Sequence, residues 1–240
     1  MVRDCNDSDA NLWNSRRRRT MTAQSPPLPP LPAVAKPAQV LEAIAALRAG
    51  ELLATDADET LWAADVGDEV MRLAAAGVPW LPPLVSFADY AAQMEHGDYA
   101  AACRLSATVL ARIDPQLAHA ALVPVLAAVT LRPWLALALR QAAERGVLVW
   151  IVSASPRPVV QWAAQAHGMQ VAGVIGIEVA DGAACEPAPV GYGKVAAWAA
   201  RGLPQPALAL GDSKWDAPLL AMAKCGFLLE KASLEASARA

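Results

Sequence analysis

Leu52-Leu53-Ala54-Thr55-Asp56-Ala57-Asp58-Glu59-Thr60-Leu61-Trp62 decides how this chain is read. An apolar run ends abruptly in two aspartates two residues apart, followed by Glu-Thr-Leu. Leu52 to Thr55 predicts a short buried strand, with Asp56 and Asp58 at its C-terminal tip. Two carboxylates so close to a core repel each other and cost stability unless a cation lies between them. A magnesium site gives them a purpose, with one Asp attacking phosphorus and the other managing protons. An Asp-rich turn is the plain alternative.

Outward from this stretch, strands and helices alternate. Val40, Leu41, Ile44 and Leu47 recur at three- and four-residue steps, predicting a helix from Pro37 that Gly50 closes. Val147 to Val152 predicts a second strand, preceded by a helix from Trp134 to Arg145. Ser153-Ala154-Ser155-Pro156 then turns into another helix, with proline at an early position. A third strand is expected near Gly173 to Val179, then a helix from about Gly193 to Ala200. A fourth strand, Ala207 to Leu210, ends in Gly211-Asp212-Ser213. The helix Trp215 to Ala223 and a strand at Phe227-Leu228-Leu229 complete the pattern.

Such alternation, with strands buried on both faces, predicts an α/β fold: a Rossmann-like parallel sheet flanked by helices. Asp56 and Ser153 stand about 97 residues apart, whereas a simple crossover needs about 30. The excess is helical in pattern and predicts an inserted all-helical cap domain. The expected division is a disordered tail over 1–35, a core over 36–65 and 132–240, and a cap over 66–131.

Composition narrows the function. The 240 residues are 55% hydrophobic and 18% charged, ample for a core, and the net charge of −3 argues against a nucleic-acid partner. Cys5, Cys103, Cys185 and Cys225 form no Cys-x-x-Cys and suit a reducing cytoplasm. The longest apolar run, Leu117 to Leu131, is too short to span a bilayer and reads as a buried helix. No secretion signal is visible, since the proline-rich Ser25 to Pro30 follows Arg16 to Arg19 where an apolar region should be. Met21 is an alternative start to Met1. His96, His119 and His167 lack ligand-like spacing.

Four positions at strand ends or helix starts then carry the chemistry: Asp56-Ala57-Asp58-Glu59-Thr60, Ser153, Lys194 and Gly211-Asp212-Ser213-Lys214-Trp215-Asp216. Taken singly, Ser153 reads as a cap serine, Lys194 as a surface lysine and Asp212 as a helix N-terminal residue. In this order they resemble the four motifs of the haloacid dehalogenase superfamily phosphatases. The helical insertion after the first motif is similar to the phosphoserine-phosphatase-like branch.

The resemblance implies a phosphomonoester phosphatase that works through an aspartyl-phosphate on Asp56. Asp58 would protonate the departing alcohol and deprotonate the attacking water. Thr60 and Ser153 would hydrogen-bond the phosphoryl oxygens or support the loop, and Lys194 would supply fixed positive charge. Mg2+ would be held by Asp56, Asp212 and the backbone carbonyl of Asp58, with Asp216 behind them orienting Lys194 or a water on the ion. The partner is a small-molecule phosphomonoester, with neither membrane nor nucleic acid, and the chain a monomer or homodimer.

Most members have Gly after the second Asp, where this chain has Glu59. Asp65 matches a glutamate that pairs with a substrate amine in the phosphoserine-phosphatase-like branch, which would make the substrate amine-bearing. It also reads as a helix N-cap ahead of Val66-Gly67-Asp68. A phosphomutase, or a phosphotransferase more generally, shares every core residue. A non-catalytic phosphometabolite-binding module is the rival from another class.

Overall fold

The computed structural model describes residues 26–77, 86–95, 98–180 and 182–232. Helix α1 (Pro37–Ala46) leads into strand β1 (Leu52–Thr55), and four helices follow: α2 (Val66–Ala76), α3 (Phe87–Glu95), α4 (Tyr99–Leu110) and α5 (Pro115–Ala127). Helix α6 (Pro133–Glu144), β2 (Leu148–Pro156), α7 (Arg157–Ala166) and β3 (Gly173–Ile177) resume the alternation. A small hairpin, β4 (Val179–Ala180) with β5 (Ala183–Ala184), precedes α8 (Tyr192–Ala200), β6 (Leu208–Gly211), α9 (Ala217–Met222) and β7 (Cys225–Leu228).

Five strands form one sheet in the order β3-β2-β1-β6-β7, and every pairing is parallel. The period of two along each strand supplies both faces. Leu53, Val149, Ile151, Leu208 and Leu210 point into one apolar cluster, whereas Leu52, Ala54, Val152 and Ala209 point into another, beneath Trp198 and Leu219. Burying each Val, Leu or Ile among them contributes about 1.5–3 kcal/mol. The central position of β1 between β2 and β6 brings the ends of three strands together.

The helical insertion leaves and rejoins the sheet layer at one point. Trp62 bridges Leu131, Ala63 N donates to Thr130 O (2.9 Å) and Arg132 N to Leu61 O (2.7 Å). Val70, Met71, Leu122 and Leu126 of the insertion share one cluster with Val159 and Ala163 of α7. Insertion and sheet layer therefore have a continuous core.

Several boundaries differ from the sequence expectation. Helix α1 stops at Ala46, and Gly50 (φ 82°) instead shapes the turn into β1, donating to Gly146 O at 2.8 Å. Strand β2 runs on through Pro156, so Ser153 and Ser155 are strand residues on one face. The β4–β5 hairpin, two residues per strand, is too short to leave a period. The 117–131 run is helical only to Ala127 and is buried on one side, with Leu117 40% and Val125 42% exposed.

The expected tail over 1–35 also needs correction. Residues 1–25 lie outside the described residues, but 26–35 run along the molecule. Val34 bridges Leu228 on the edge strand, Ala35 N donates to Leu228 O at 2.8 Å and Tyr192 Oη donates to Pro27 O at 3.2 Å. Proline favours the extended backbone this docking uses. Among the described residues, no single helix is long and apolar enough to cross a membrane.

Candidate active site

A cavity of about 330 Å³ opens at the C-terminal ends of β1 and β6, where open parallel sheets keep their sites. Asp56 lies at its floor, 6% exposed, and its backbone N donates to Leu210 O at 2.8 Å. Lys194, from the first turn of α8, is 2% exposed. Its Nζ donates to Asp56 Oδ1 (2.6 Å), Asp216 Oδ1 (2.5 Å) and Val152 O (3.0 Å). Burial works against that charge, but Asp216 and Asp56 outweigh it and hold the ammonium protonated well above the usual lysine range.

Asp216 anchors the turn after β6. Its Oδ2 accepts from Ser213 N (3.0 Å), Ser213 Oγ (2.9 Å) and Asp212 N (3.2 Å). That turn passes so close to Gly211 that a Cβ there would lie 2.4 Å from Asp216 Cβ. Glycine is therefore required ahead of Asp212.

Asp58 is held by four donors. Oδ1 accepts from Trp62 Nε1 (3.0 Å) and Val66 N (2.9 Å), and Oδ2 from Ser153 Oγ (2.9 Å) and Ser155 Oγ (2.8 Å). An ionised carboxylate satisfies all four. Thr60 and Ser153, expected to meet phosphoryl oxygens or to support the loop, are both fully buried beneath the cavity and hydrogen-bond the motif carboxylates. Ser153 is committed to Asp58. Thr60 Oγ1 lies 3.0 Å from Asp56 Oδ2 and 2.9 Å from Asp212 Oδ1.

Thr60 has one hydroxyl proton, so it satisfies only one of those carboxylates at a time. Carboxylate oxygens of Asp56, Asp212 and Asp216 lie within 4.8 Å of one another. Burial, then the neighbouring carboxylates, push the Asp56 carboxyl well up despite the opposing pull of Lys194. Burial, then Asp216, push Asp212 up to about 6. A crowd of hard oxygen donors with too few protons fits a divalent cation such as Mg2+. With Asp216 already engaged, Asp56 and Asp212 are the side chains that could hold it.

Asp65 caps helix α2, its Oδ1 accepting from Gly67 N (2.8 Å) and Asp68 N (3.2 Å), while also lining the cavity. Burial, then Asp58 and Asp68, push its carboxyl up.

These geometries can be set beside known proteins. The family model for haloacid dehalogenase-like hydrolases matches residues 53–221. The chain belongs to the haloacid dehalogenase-like hydrolases. No curated protein sequence matches it. Among solved structures, a Bordetella pertussis Tohama I protein of unknown function is 22% identical, with TM-score 0.58, over 71% of this chain and 85% of that one. A phosphoserine phosphohydrolase-like protein from Francisella tularensis is 15% identical, with TM-score 0.52, over 73% and 84%. A phosphoserine phosphatase with an analogue of its phospho-aspartyl intermediate is 15% identical, with TM-score 0.51, over 80% and 99%. At these identities the likeness is one of fold.

In this haloacid dehalogenase-like hydrolase the departure at Glu59 has a local account. Its backbone takes φ 58°, the left-handed region that favours glycine, and its carboxylate pairs with Lys231. Arg132 braces the same turn through Thr60 O (2.9 Å) and Glu59 O (3.3 Å). Sequence reasoning missed Ser155, Trp62, Arg132 and Lys231. Ser155 was within reach, because Ser153 and Ser155 share a strand face at a period of two. The other three are brought in by tertiary contacts.

Proposed function

We propose that this chain is a Mg2+-dependent phosphomonoester phosphatase acting on a small phosphorylated metabolite. The observation that carries this reading is the cavity floor: a buried Asp56 held by Lys194 beside Asp58 and Asp212. Asp56 would attack phosphorus while Asp58 gives its proton to the departing alcohol as the P–O bond breaks. Water would then attack the aspartyl-phosphate, Asp58 would take its proton, and Asp56 and inorganic phosphate would be released. The Ser153 and Ser155 hydroxyls can rotate from donating to accepting, which lets Asp58 carry that proton.

Asp56, Asp212 and the backbone carbonyl of Asp58 would hold Mg2+, whose charge would offset that of the phosphoryl oxygens. Lys194 would hold Asp56 in place through its ammonium and face the same oxygens, with Asp216 fixing Lys194 and the Asp212 turn. An amine-bearing substrate is supported only by Asp65, which lines the cavity while capping α2. Cytoplasmic placement is supported by the free thiols of Cys103, Cys185 and Cys225.

Phosphate release from a generic aryl phosphate with Mg2+ tests the reading. Asp56→Asn should abolish it, and Asp58→Asn should slow it roughly 10²–10⁴-fold. Turnover that survives chelation, or an active Asp56→Asn protein, would falsify the scheme. A phosphorylated product without free phosphate would make the chain a mutase. Asp65→Ala should raise KM for a cationic substrate selectively; equal effects on cationic and neutral substrates would leave Asp65 a cap alone.

A further inference from the structure

The cavity has two unlike halves. Its floor carries Asp56, Asp212 and Lys194, whereas Met94, Tyr99 and Trp215 supply apolar wall. Tyr99 begins α4 in the insertion, and Trp215 belongs to the turn after Asp212 in the sheet layer. Their rings stack with centroids 5.3 Å apart and planes 9° from parallel. Behind Tyr99 lies the buried cluster of Cys103, Ala154 and Ile177. Beside Trp215, Lys214 Nζ stands 4.9 Å from the ring centroid.

Two aromatic rings make a stiffer wall than Met94, because each has only two side-chain torsions and here each is packed. The cavity volume of about 330 Å³ is at the small end of the roughly 300–1,000 Å³ typical of small-molecule sites. A phosphoryl group seated on the polar floor turns its ester substituent toward this wall. We propose that the Tyr99–Trp215 stack is the size filter for that substituent. It admits a compact alcohol or single ring and excludes a fused ring system or a nucleoside. This deepens the phosphatase reading and rests on it for the placement of the phosphoryl group.

Phenyl and 1-naphthyl phosphate differ by one fused ring, so the ratio of their kcat/KM values reads space at the wall. Tyr99→Ala should raise the naphthyl-to-phenyl ratio by about tenfold or more, on the scale by which pockets discriminate steric differences. Tyr99→Phe keeps the ring and should keep the wild-type ratio. Trp215→Leu removes the stack from the other side and should shift the ratio in the same direction, even if Tyr99→Ala fails to fold. Dissociation constants for phenylphosphonate and 1-naphthylphosphonate, by calorimetry on the full chain, give the same ratio without turnover. A wild-type protein that hydrolyses neither ester but shows the phosphonate ratio would remove the phosphatase reading and keep the filter. Parallel changes for both ligands in both disruptive variants would overturn the filter. So would a Tyr99→Phe shift as large as that of Tyr99→Ala, or no phosphonate binding by any variant.

Discussion

Lys231 pairs with Glu59 at the rim of the cavity, joining the segment after β7 to the turn after β1. The two backbones meet as well, Ala232 N donating to Glu59 O at 2.5 Å. Glu59 holds a left-handed backbone that costs a non-glycine residue about 1–2 kcal/mol. With side chains 59% and 42% exposed, the pair adds little stability. Its consequence is electrostatic, because a carboxylate beside the proposed phosphoryl site is neutralised.

Glu59→Gly should therefore fold, keep or slightly raise the melting temperature, and keep or raise the rate. Lys231→Met should raise KM for a phosphomonoester severalfold, and adding Glu59→Gln should restore it. Steady-state kinetics on the three proteins checks this. A large loss of rate in Glu59→Gly would give that carboxylate a direct role.

Lys194→Met should cost about 3–5 kcal/mol, since it leaves Asp56 and Asp216 buried without their cation. Thermal melts should fall by roughly ten degrees. Part of the loss should return as pH falls, since the Asp56 carboxyl, pushed up by burial, can then take up a proton. A variant as stable as wild type at neutral pH would contradict this account of the buried ion pairs.

Metal-free protein should show an unusual pH dependence. Asp212 is pushed up to about 6 when folded, against about 3.9 unfolded. A raised carboxyl binds its proton more tightly in the folded state. Its contribution is full below about pH 4 and lost as pH rises through about 6. Metal-free wild type should therefore lose melting temperature between pH 5 and 7 relative to Asp212→Asn. Added Mg2+ should raise the melting temperature more at pH 7.5 than at pH 5, where protons compete for the carboxylates. Identical pH profiles for the two proteins, or no Mg2+ effect at pH 7.5, would count against the site.

Truncation should separate the two parts of the N-terminal region. A chain starting at Lys36 loses the Ala35–Leu228 hydrogen bond and the Val34 bridge. It should melt several degrees below a chain starting at Pro26, which should match the full chain. Equal melting temperatures for the two truncations would make the docking of 26–35 energetically idle.

The β1 reading, Leu52 to Thr55, coincides with the strand because four buried residues between a glycine turn and a carboxylate leave little local choice. The alternation of strands and helices was legible for the same reason: burial on both faces leaves a short-range mark. Asp65 capping α2 was legible too, because a cap is closed within three residues. Other features leave no such mark. Asp58 meets Ser155 because β2 lies beside β1 and runs past Val152, and Lys194 meets Asp56 because α8 packs over the ends of these strands. Val34 finds Leu228 only because β7 is an edge. The sequence by itself determined which segments bury which faces and which residue types stand at strand ends, since those follow from local periodicity. Only the tertiary structure decided which carboxylate meets which cation or hydroxyl. Those partners depend on strand order and register, set by the whole core at once.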